Sequence, residues 1–276
     1  MRISVVAPST PLEPELATKV QSLAAAEFPE LELIFHPQCF LRAGHFAGSD
    51  EVRAKAFIET ANDPGVEAIW CARGGYGSCR IAEDVIAALA PAARDKTYLG
   101  YSDAGYLFGG LYRAGFRHLF HGPMVVDGRR EGGADAIRRA LGWLSRRAPE
   151  SLDPSVDSEV PSAAFNITVL SQLLGTPLEP DLSGHVLMLE DVAEYTYRTD
   201  RSLFHITSQP SIRRVAGIRF GRCTDVLEND PEFGADAEAV VRHWCLKSGI
   251  PYLGRCDIGH DADNKVVPFG RLVDAG

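Results

Sequence analysis

Along the first 147 residues, short and almost wholly apolar runs alternate with longer segments whose apolar positions recur every three or four residues. ISVVA (3–7), LELIFH (31–36), VEAIWCA (66–72), TYLGY (97–101) and HLFHG (118–122) predict buried strands. PELATKVQSLAAAEF (14–28), DEVRAKAFIETAND (50–63), CRIAEDVIAALA (79–90), DAGYLFGGLYRAG (103–115) and GADAIRRALGWLSRR (133–147) predict helices, the second opened by Asp50 as a candidate cap. Near-continuous apolar strands separated by helices predict a parallel sheet covered on both faces. Right-handed crossovers then gather the C-terminal ends of the strands on one edge, where such sheets take their ligands.

APESLDPSVDSEVPS (148–162) is rich in Pro, Ser and acids and has no period, which predicts a linker. Beyond it the pattern changes. FNITVLSQLLG reads as a helix ending at Gly175. HVLMLED (185–191) reads as a strand, RSLFHITSQ as a helix, VAGIRFG as a strand and DAEAVVRHWCLKSG as a helix; YLGR and VVPFG are short pieces. The division is therefore an N-terminal α/β domain over 1–147, a linker over 148–162 and a smaller mixed domain over 163–276.

Composition narrows the function classes. The chain has 276 residues, 28 Lys and Arg against 37 Asp and Glu, and a formal charge of −9. That balance argues against nucleic acid as a partner. MRISVVAPSTP holds about five apolar positions before Pro and polar residues interrupt it, short of the roughly 7–15 of a secretory h-region. No run approaches the ~20 apolar residues of a membrane span, so a cytoplasmic, non-membrane protein is expected. Cys39, Cys71, Cys79, Cys223, Cys245 and Cys256 are scattered, without a C-x-x-C pair. Free thiols are expected and a thiolate zinc site is not. No cofactor is implied, and HDADN (260–264) lacks the full spacing of a calcium loop.

Three polar features fall at ends of predicted strands. Ser102 follows TYLGY and precedes a helix, so its hydroxyl points off the sheet edge. The next N–H, that of Asp103, lies at a helix N-terminus, where it faces an incoming oxyanion. This is the logic of a nucleophile elbow, although Ala104 stands where G-x-S-x-G has its last glycine. Capping of the helix by Ser102 is the plainer alternative. CARGGYGSCRI (71–81) places three glycines after a strand, suiting close backbone approach to a ligand, a second oxyanion donor or a simple turn. Glu190 and Asp191 end HVLML, and His260 sits in a polar loop. The order Ser102, Glu190, His260 is serine, acid, histidine.

The strings VVAPSTP, FAGSDEVRAKAF, IWCARGGYGSCRI, LGYSD, HGPM, LLGTP, LMLEDVAEYTYRTDRSL, GIRFGRCTD and GHDADNKVVPFG, in that order, resemble the LD-carboxypeptidases, a serine peptidase family. The resemblance implies Ser102 as nucleophile, His260 as general base and Glu190 as the acid that orients it. It implies an oxyanion hole, assigned to the backbone of Gly75 and Asp103. It also implies an N-terminal domain like that of class I glutamine amidotransferases, a smaller swivelling C-terminal domain, a triad assembled across their interface, and a homodimer. The implied substrate is murein tetrapeptide in peptidoglycan recycling, cut between an L-centre and terminal D-alanine. Arg73, Arg198 and Arg201 are candidate partners for substrate carboxylates, because a guanidinium matches a carboxylate in bidentate fashion.

Three positions depart from the family pattern. AFN (164–166) stands where relatives often have GGN, and Gly105 where they often have threonine. The chain also stops soon after VPFG. Two other functions fit the same strings. One is an amidase for acyl-adenylate antibiotics, with Trp70 or Tyr195 as an adenine platform. The other is a non-catalytic module that binds small ligands through the glycine-rich loop.

Overall fold

Each predicted strand of the first half pairs in parallel with its neighbours. The computed structural model describes residues 1–272. Strands β1 (Arg2–Val6), β2 (Glu32–Phe35), β3 (Ala68–Cys71), β4 (Thr97–Gly100) and β5 (Leu119–His121) alternate with helices α1 (Pro14–Glu27), α2 (Asp50–Asn62), α3 (Ala82–Ala88) and α4 (Ala104–Arg113). Helix α5 (Gly133–Arg146) follows β5. The strands lie in the order β5-β4-β3-β1-β2, all parallel. The chain therefore winds outward in opposite directions from the β1/β3 pair, and the loops leaving β1 and β3 diverge there. That divergence opens a crevice at the C-terminal edge of the sheet. Every residue of β3, β4 and β5 is buried, as continuous apolar runs require.

The second unit is a four-stranded sheet in the order β6-β7-β8-β9, with β6 Ser162–Asn166, β7 Val186–Val192, β8 Gly217–Thr224 and β9 Tyr252–Arg255. All its pairings are parallel, and helices alternate with its strands, as expected of a smaller domain of mixed helix and strand. Helices α6 (Ile167–Leu173), α7 (Thr196–Ser208) and α8 (Ala237–Ser248) connect the strands. The expected helix FNITVLSQLLG begins two residues late: Phe165 and Asn166 finish β6. Asn166 has extended backbone, and its side chain accepts from the Val169 N–H, which starts α6 only at Ile167.

The last described strand, β10 (Val267–Pro268), leaves the second unit and pairs antiparallel with β5 of the first sheet. Ser162 and Gly270 then exchange two backbone hydrogen bonds of 3.0 and 2.8 Å, tying β6 to the same segment. One buried hydrophobic cluster runs through both units, from Ile3 and Trp70 to Phe165, Leu189 and Phe269. All six cysteines are unpaired. Among the described residues no helix is long and apolar enough to cross a membrane.

Candidate active site

Ser102 lies directly after β4 and has φ +58°, in the left-handed region that non-glycine residues rarely occupy. It is not the cap of α4: that position is Asp103, whose side chain makes no capping bond. Among the described residues the Ser102 hydroxyl makes no hydrogen bond. The strained serine is thus presented at the sheet edge with its oxygen uncommitted.

The glycine-rich loop packs against it. A Cβ built on Gly74 would stand 2.9 Å from Ser102 Oγ and 3.4 Å from the Asp103 nitrogen, so only glycine fits there. The loop is fastened from three sides. Thr10 Oγ1 donates to the Gly74 carbonyl at 2.6 Å. The buried Asp103 carboxylate accepts from the Ser78 N–H at 2.8 Å and from the Ser9 hydroxyl. The buried Arg53 of α2 donates to the Gly77 carbonyl at 2.9 Å and to Pro8. Among the described residues neither the Gly75 N–H nor the Asp103 N–H donates to another protein group. Both donors are therefore open at the edge where Ser102 stands.

Glu190 and Asp191 part company at the end of β7. Successive strand residues face opposite sides. Asp191 turns to α6, accepting from Asn166 Nδ2 at 2.8 Å and Thr168 Oγ1 at 3.1 Å. Burial, followed by the charge of Glu190, pushes its carboxyl up to about 7. Glu190 is fully buried and places Oε2 2.6 Å from His260 Nδ1. A carboxylate can only accept, so Nδ1 carries the proton and Nε2 the lone pair. Burial pulls the His260 pKa down, but Glu190, by charge and hydrogen bond, and Asp127 outweigh it and leave it raised.

His260 is also brought to the elbow. Its ring lies 4.7 Å from that of Tyr101, the residue before Ser102. The Tyr101 hydroxyl donates to Asp127 at 2.9 Å, and Arg130 donates to the same carboxylate at 3.0 Å. Nε2 has no hydrogen-bond partner among the described residues, and no bond closes to Ser102 Oγ. The His260 loop is held by both units. Arg222 of β8 grips Asp261 with two bonds of 2.5 and 2.8 Å, which removes that acid from any cation site. Arg139 of α5 donates to the carbonyls of Ala262 and Asn264 at 2.7 and 3.1 Å. Asn264 Oδ1 receives the Gly259 N–H at 3.2 Å and lies 3.1 Å from His121 Nε2. Burial lowers the His121 pKa, and because an amide oxygen only accepts, His121 Nε2 is the donor there. Among the described residues no cluster of three or more His, Cys, Asp or Glu has the form of a metal site.

The candidate arginines separate. Arg73 ends the segment after β3, half-buried beside Gly74. Arg198 and Arg201 stand exposed on α7. Arg198 is engaged by Glu194 at 3.4 Å and the Tyr197 hydroxyl at 3.2 Å, and Arg201 lies over the Tyr197 ring. Trp70 is fully buried with its indole N–H on the Pro123 carbonyl at 2.8 Å, so it offers no adenine platform. Tyr195 stacks on Tyr197 at 5.5 Å. A cavity of about 720 Å³ opens elsewhere, between Thr196 and the 226–236 loop, and none of Ser102, Glu190 or His260 lines it. Tyr101, Asp127, Arg139 and the Asp103 carboxylate are site residues that no string singled out, because their roles arise only from strand adjacency.

Two family models match this arrangement: the LD-carboxypeptidase N-terminal domain over residues 3–122 and the LD-carboxypeptidase C-terminal domain over 163–274. A Synechocystis sp. protein carrying a carboxypeptidase name is 30% identical over 99% of this chain and 90% of its own. The chain belongs to the LD-carboxypeptidase family. The murein tetrapeptide carboxypeptidase of Pseudomonas aeruginosa is 24% identical to this LD-carboxypeptidase over 99% of the chain and 92% of its own length. The crystal structure of muramoyltetrapeptide carboxypeptidase from Oxalobacter formigenes superposes with a TM-score of 0.81 and 24% identity, covering 98% of this chain and 93% of that one. The microcin C7 self-immunity protein MccF, in complex with aspartyl sulfamoyl adenosine, superposes at 0.77 with 17% identity over 98% and 91%. At such identities these structures speak for the fold.

Proposed function

We propose that this LD-carboxypeptidase hydrolyses the L-D peptide bond that holds the terminal D-alanine of murein tetrapeptide. Ser102 is the nucleophile, His260 the general base and Glu190 the acid that orients it. The observation that carries this reading is the 2.6 Å contact of His260 Nδ1 with buried Glu190, which leaves Nε2 free beside the strained elbow of Ser102. A serine hydroxyl becomes a competent nucleophile only when a base removes its proton. His260 Nε2 takes that proton as Oγ attacks the carbonyl carbon. The N–H groups of Gly75 and Asp103 receive the oxyanion, an interaction whose loss costs about 10²–10³ in rate. The imidazolium, stabilised by Glu190, then protonates the leaving amine of D-alanine. Water enters by the reverse sequence, with His260 again the base, and the acyl-enzyme is cleaved. The names of the relatives support murein peptide as the substrate. Action in cytoplasmic peptidoglycan recycling, domain closure by swivelling and a homodimer belong to the same reading.

The test is release of free D-alanine from purified murein tetrapeptide by wild type and Ser102→Ala. We expect release by wild type and a loss of at least about 10³-fold in the variant. Equal release by both proteins removes Ser102 from the mechanism. The likeness to MccF bound to an acyl-sulfamoyl adenosine favours one second reading, an acyl-adenylate amidase using the same serine. A panel of acyl-adenylates separates the two. Failure of every substrate returns the chain to the class of binding modules.

A further inference from the structure

Arg73 is the one candidate carboxylate-binding arginine that stands beside the nucleophile, since the next residue, Gly74, packs on Ser102 Oγ. It is half-buried, yet among the described residues no carboxylate lies within ion-pair distance of it. Among the described residues its one hydrogen-bond partner is the Pro11 carbonyl, 3.3 Å from Nη1. A guanidinium has five N–H donors in a fixed fork, so most of this one is unspent.

The surroundings add positive charge. Arg129 ends the 3₁₀ turn Val125–Arg129, two residues after the Asp127 that holds Tyr101. It is exposed and makes no ion pair or hydrogen bond among the described residues. Burial lowers the pKa of Arg73, and the charges of Arg129 and Arg42 act in the same direction. Glu13, the acid that opposes them, is committed to Arg42 at 2.6 Å. By contrast Arg130, Arg198 and Arg222 each have a carboxylate. The chain carries 37 acids against 28 bases. The Val126 N–H donates to the Ala72 carbonyl at 3.0 Å, which ties the turn that ends in Arg129 to the residue before Arg73. Two arginines so placed and left without an acid, one of them partly desolvated, form a place where an incoming anion removes an electrostatic cost.

We propose that Arg73 and Arg129 form the subsite for the free carboxylate of the departing D-alanine, and that this pairing confines the enzyme to chain ends. This deepens the reading above and rests on it for the identity of the anion. The carboxylate of the leaving residue lies one residue beyond the scissile carbonyl. Arg73 directly precedes Gly74, which covers Ser102 Oγ, so its side chain leaves the backbone one residue, about 3.8 Å, from the glycine that packs on the serine. An internal peptide bond offers no anion at that point.

The test pairs two substrates with three proteins. The substrates are murein tetrapeptide and the same peptide ending in D-alaninamide; the proteins are wild type, Arg73→Gln and Arg129→Gln. A charge-assisted bidentate pair corresponds to about 10- to 100-fold in affinity or rate. In wild type the amide should lower kcat/KM by that factor. In Arg73→Gln the acid substrate should fall by a similar factor and the amide should bring little further loss. Arg129→Gln, at an exposed position that tolerates substitution, should show a smaller loss of the same kind. The inference is overturned if wild type cleaves acid and amide equally, or if both variants lower acid and amide by the same factor. Calorimetric binding of the two peptides to Ser102→Ala separates this from catalysis. Tighter binding of the acid there, without D-alanine release by wild type, would sink the proposed reaction and keep the subsite. Equal binding would sink the subsite.

Discussion

Ser102 is held in a left-handed backbone conformation that costs a side chain such as serine about 1–3 kcal/mol. The surrounding contacts over-determine it: Gly74 against its Cβ, Asp103 fixed by Ser9 and Ser78, Tyr101 anchored on Asp127. The base has a comparable set of constraints, and its protonation follows from them. The raised His260 pKa keeps the ring protonated, and inactive as a base, to a pH above the ordinary 6.5. Activity should therefore fall on the acid side through that raised value. In Glu190→Gln the raising charge is gone and burial dominates. The acid limb of kcat/KM should move to lower pH while the rate falls on the order of 10³–10⁴-fold. A limb that stays in place would show that Glu190 does not face His260 in the working enzyme. The same shift stabilises the fold below about pH 6.5, and that increment is lost as pH rises through the raised pKa. At this scale much was legible. Ser102 and Glu190 stood at strand ends, and strand alternation separates Glu190 from Asp191. The positive φ at the elbow belongs to Ser102 and not to Gly100, two residues before it. Glycine is required at 100 because a Cβ would meet Cys71 on the neighbouring strand at 2.9 Å. Trp70 looked available for stacking and is buried, because nothing in a single strand tells which apolar residues a partner strand will cover.

Between elements, the seam of the two units runs where α4 meets β6 and α6. Gly105, one turn into the sequence after Ser102, faces Val169 and Phe165, and a Cβ there would stand 3.0 and 3.4 Å from them. Phe165 packs edge-to-face on Phe269 at 5.1 Å. Gly105 and AFN, where the resemblance implied threonine and GGN, thus meet at one contact. Val169, tightly, and the Phe165 ring, at contact distance, border the space that a side chain at 105 would need. Gly105→Thr should destabilise by about 1–3 kcal/mol through overpacking, and Phe165→Ala by about 3–5 kcal/mol through the cavity it leaves. The double variant should cost clearly less than the sum, because the threonine then enters the vacated space. Denaturant unfolding of the four proteins gives the coupling. Strict additivity would mean that the two residues do not share that space. The first five strands and the helices were readable from period, except for the starts of α6 and of α7, which begins at Thr196, five residues before the expected RSLFHITSQ. Strand β6 was not: SAAFN is short and apolar, follows a Pro- and Ser-rich stretch and runs straight into a helix, so periodicity cannot separate the two elements. Only the Asn166 cap marks the boundary, and its function depends on backbone geometry.

For the whole molecule, the decisive feature is that the chain returns. Ser102 and His260, the proposed nucleophile and base, lie 158 residues apart in sequence, yet the loop bearing His260 is fastened by Arg139 from the unit that bears Ser102, and β10 completes the first sheet immediately after that loop. A sequence divided at its linker predicts two bodies meeting at a hinge. Antiparallel pairing of two residues near the end of the chain leaves no trace in composition, so the stitch was not legible. Its consequence is that the base can move away from the elbow only by breaking the Arg139 bonds, the Asn264–His121 contact and the β10–β5 pairing together. Arg139→Met keeps the aliphatic stem and removes both donors. Most of the fold's apolar burial is untouched by it, so the melting temperature should change by only a few degrees. The 259–264 loop should lose a constraint, and hydrogen exchange should rise there while the strands of both sheets stay protected. If the loop's position sets the rate, kcat should fall about 10-fold or more with little change in KM, since a small displacement of a base is costly in a near-attack arrangement. Unchanged kcat with raised exchange would mean that the loop closes correctly without its latch once substrate is bound. Unchanged exchange would mean that β10, Arg222 and the Asn264–His121 contact hold the loop without Arg139.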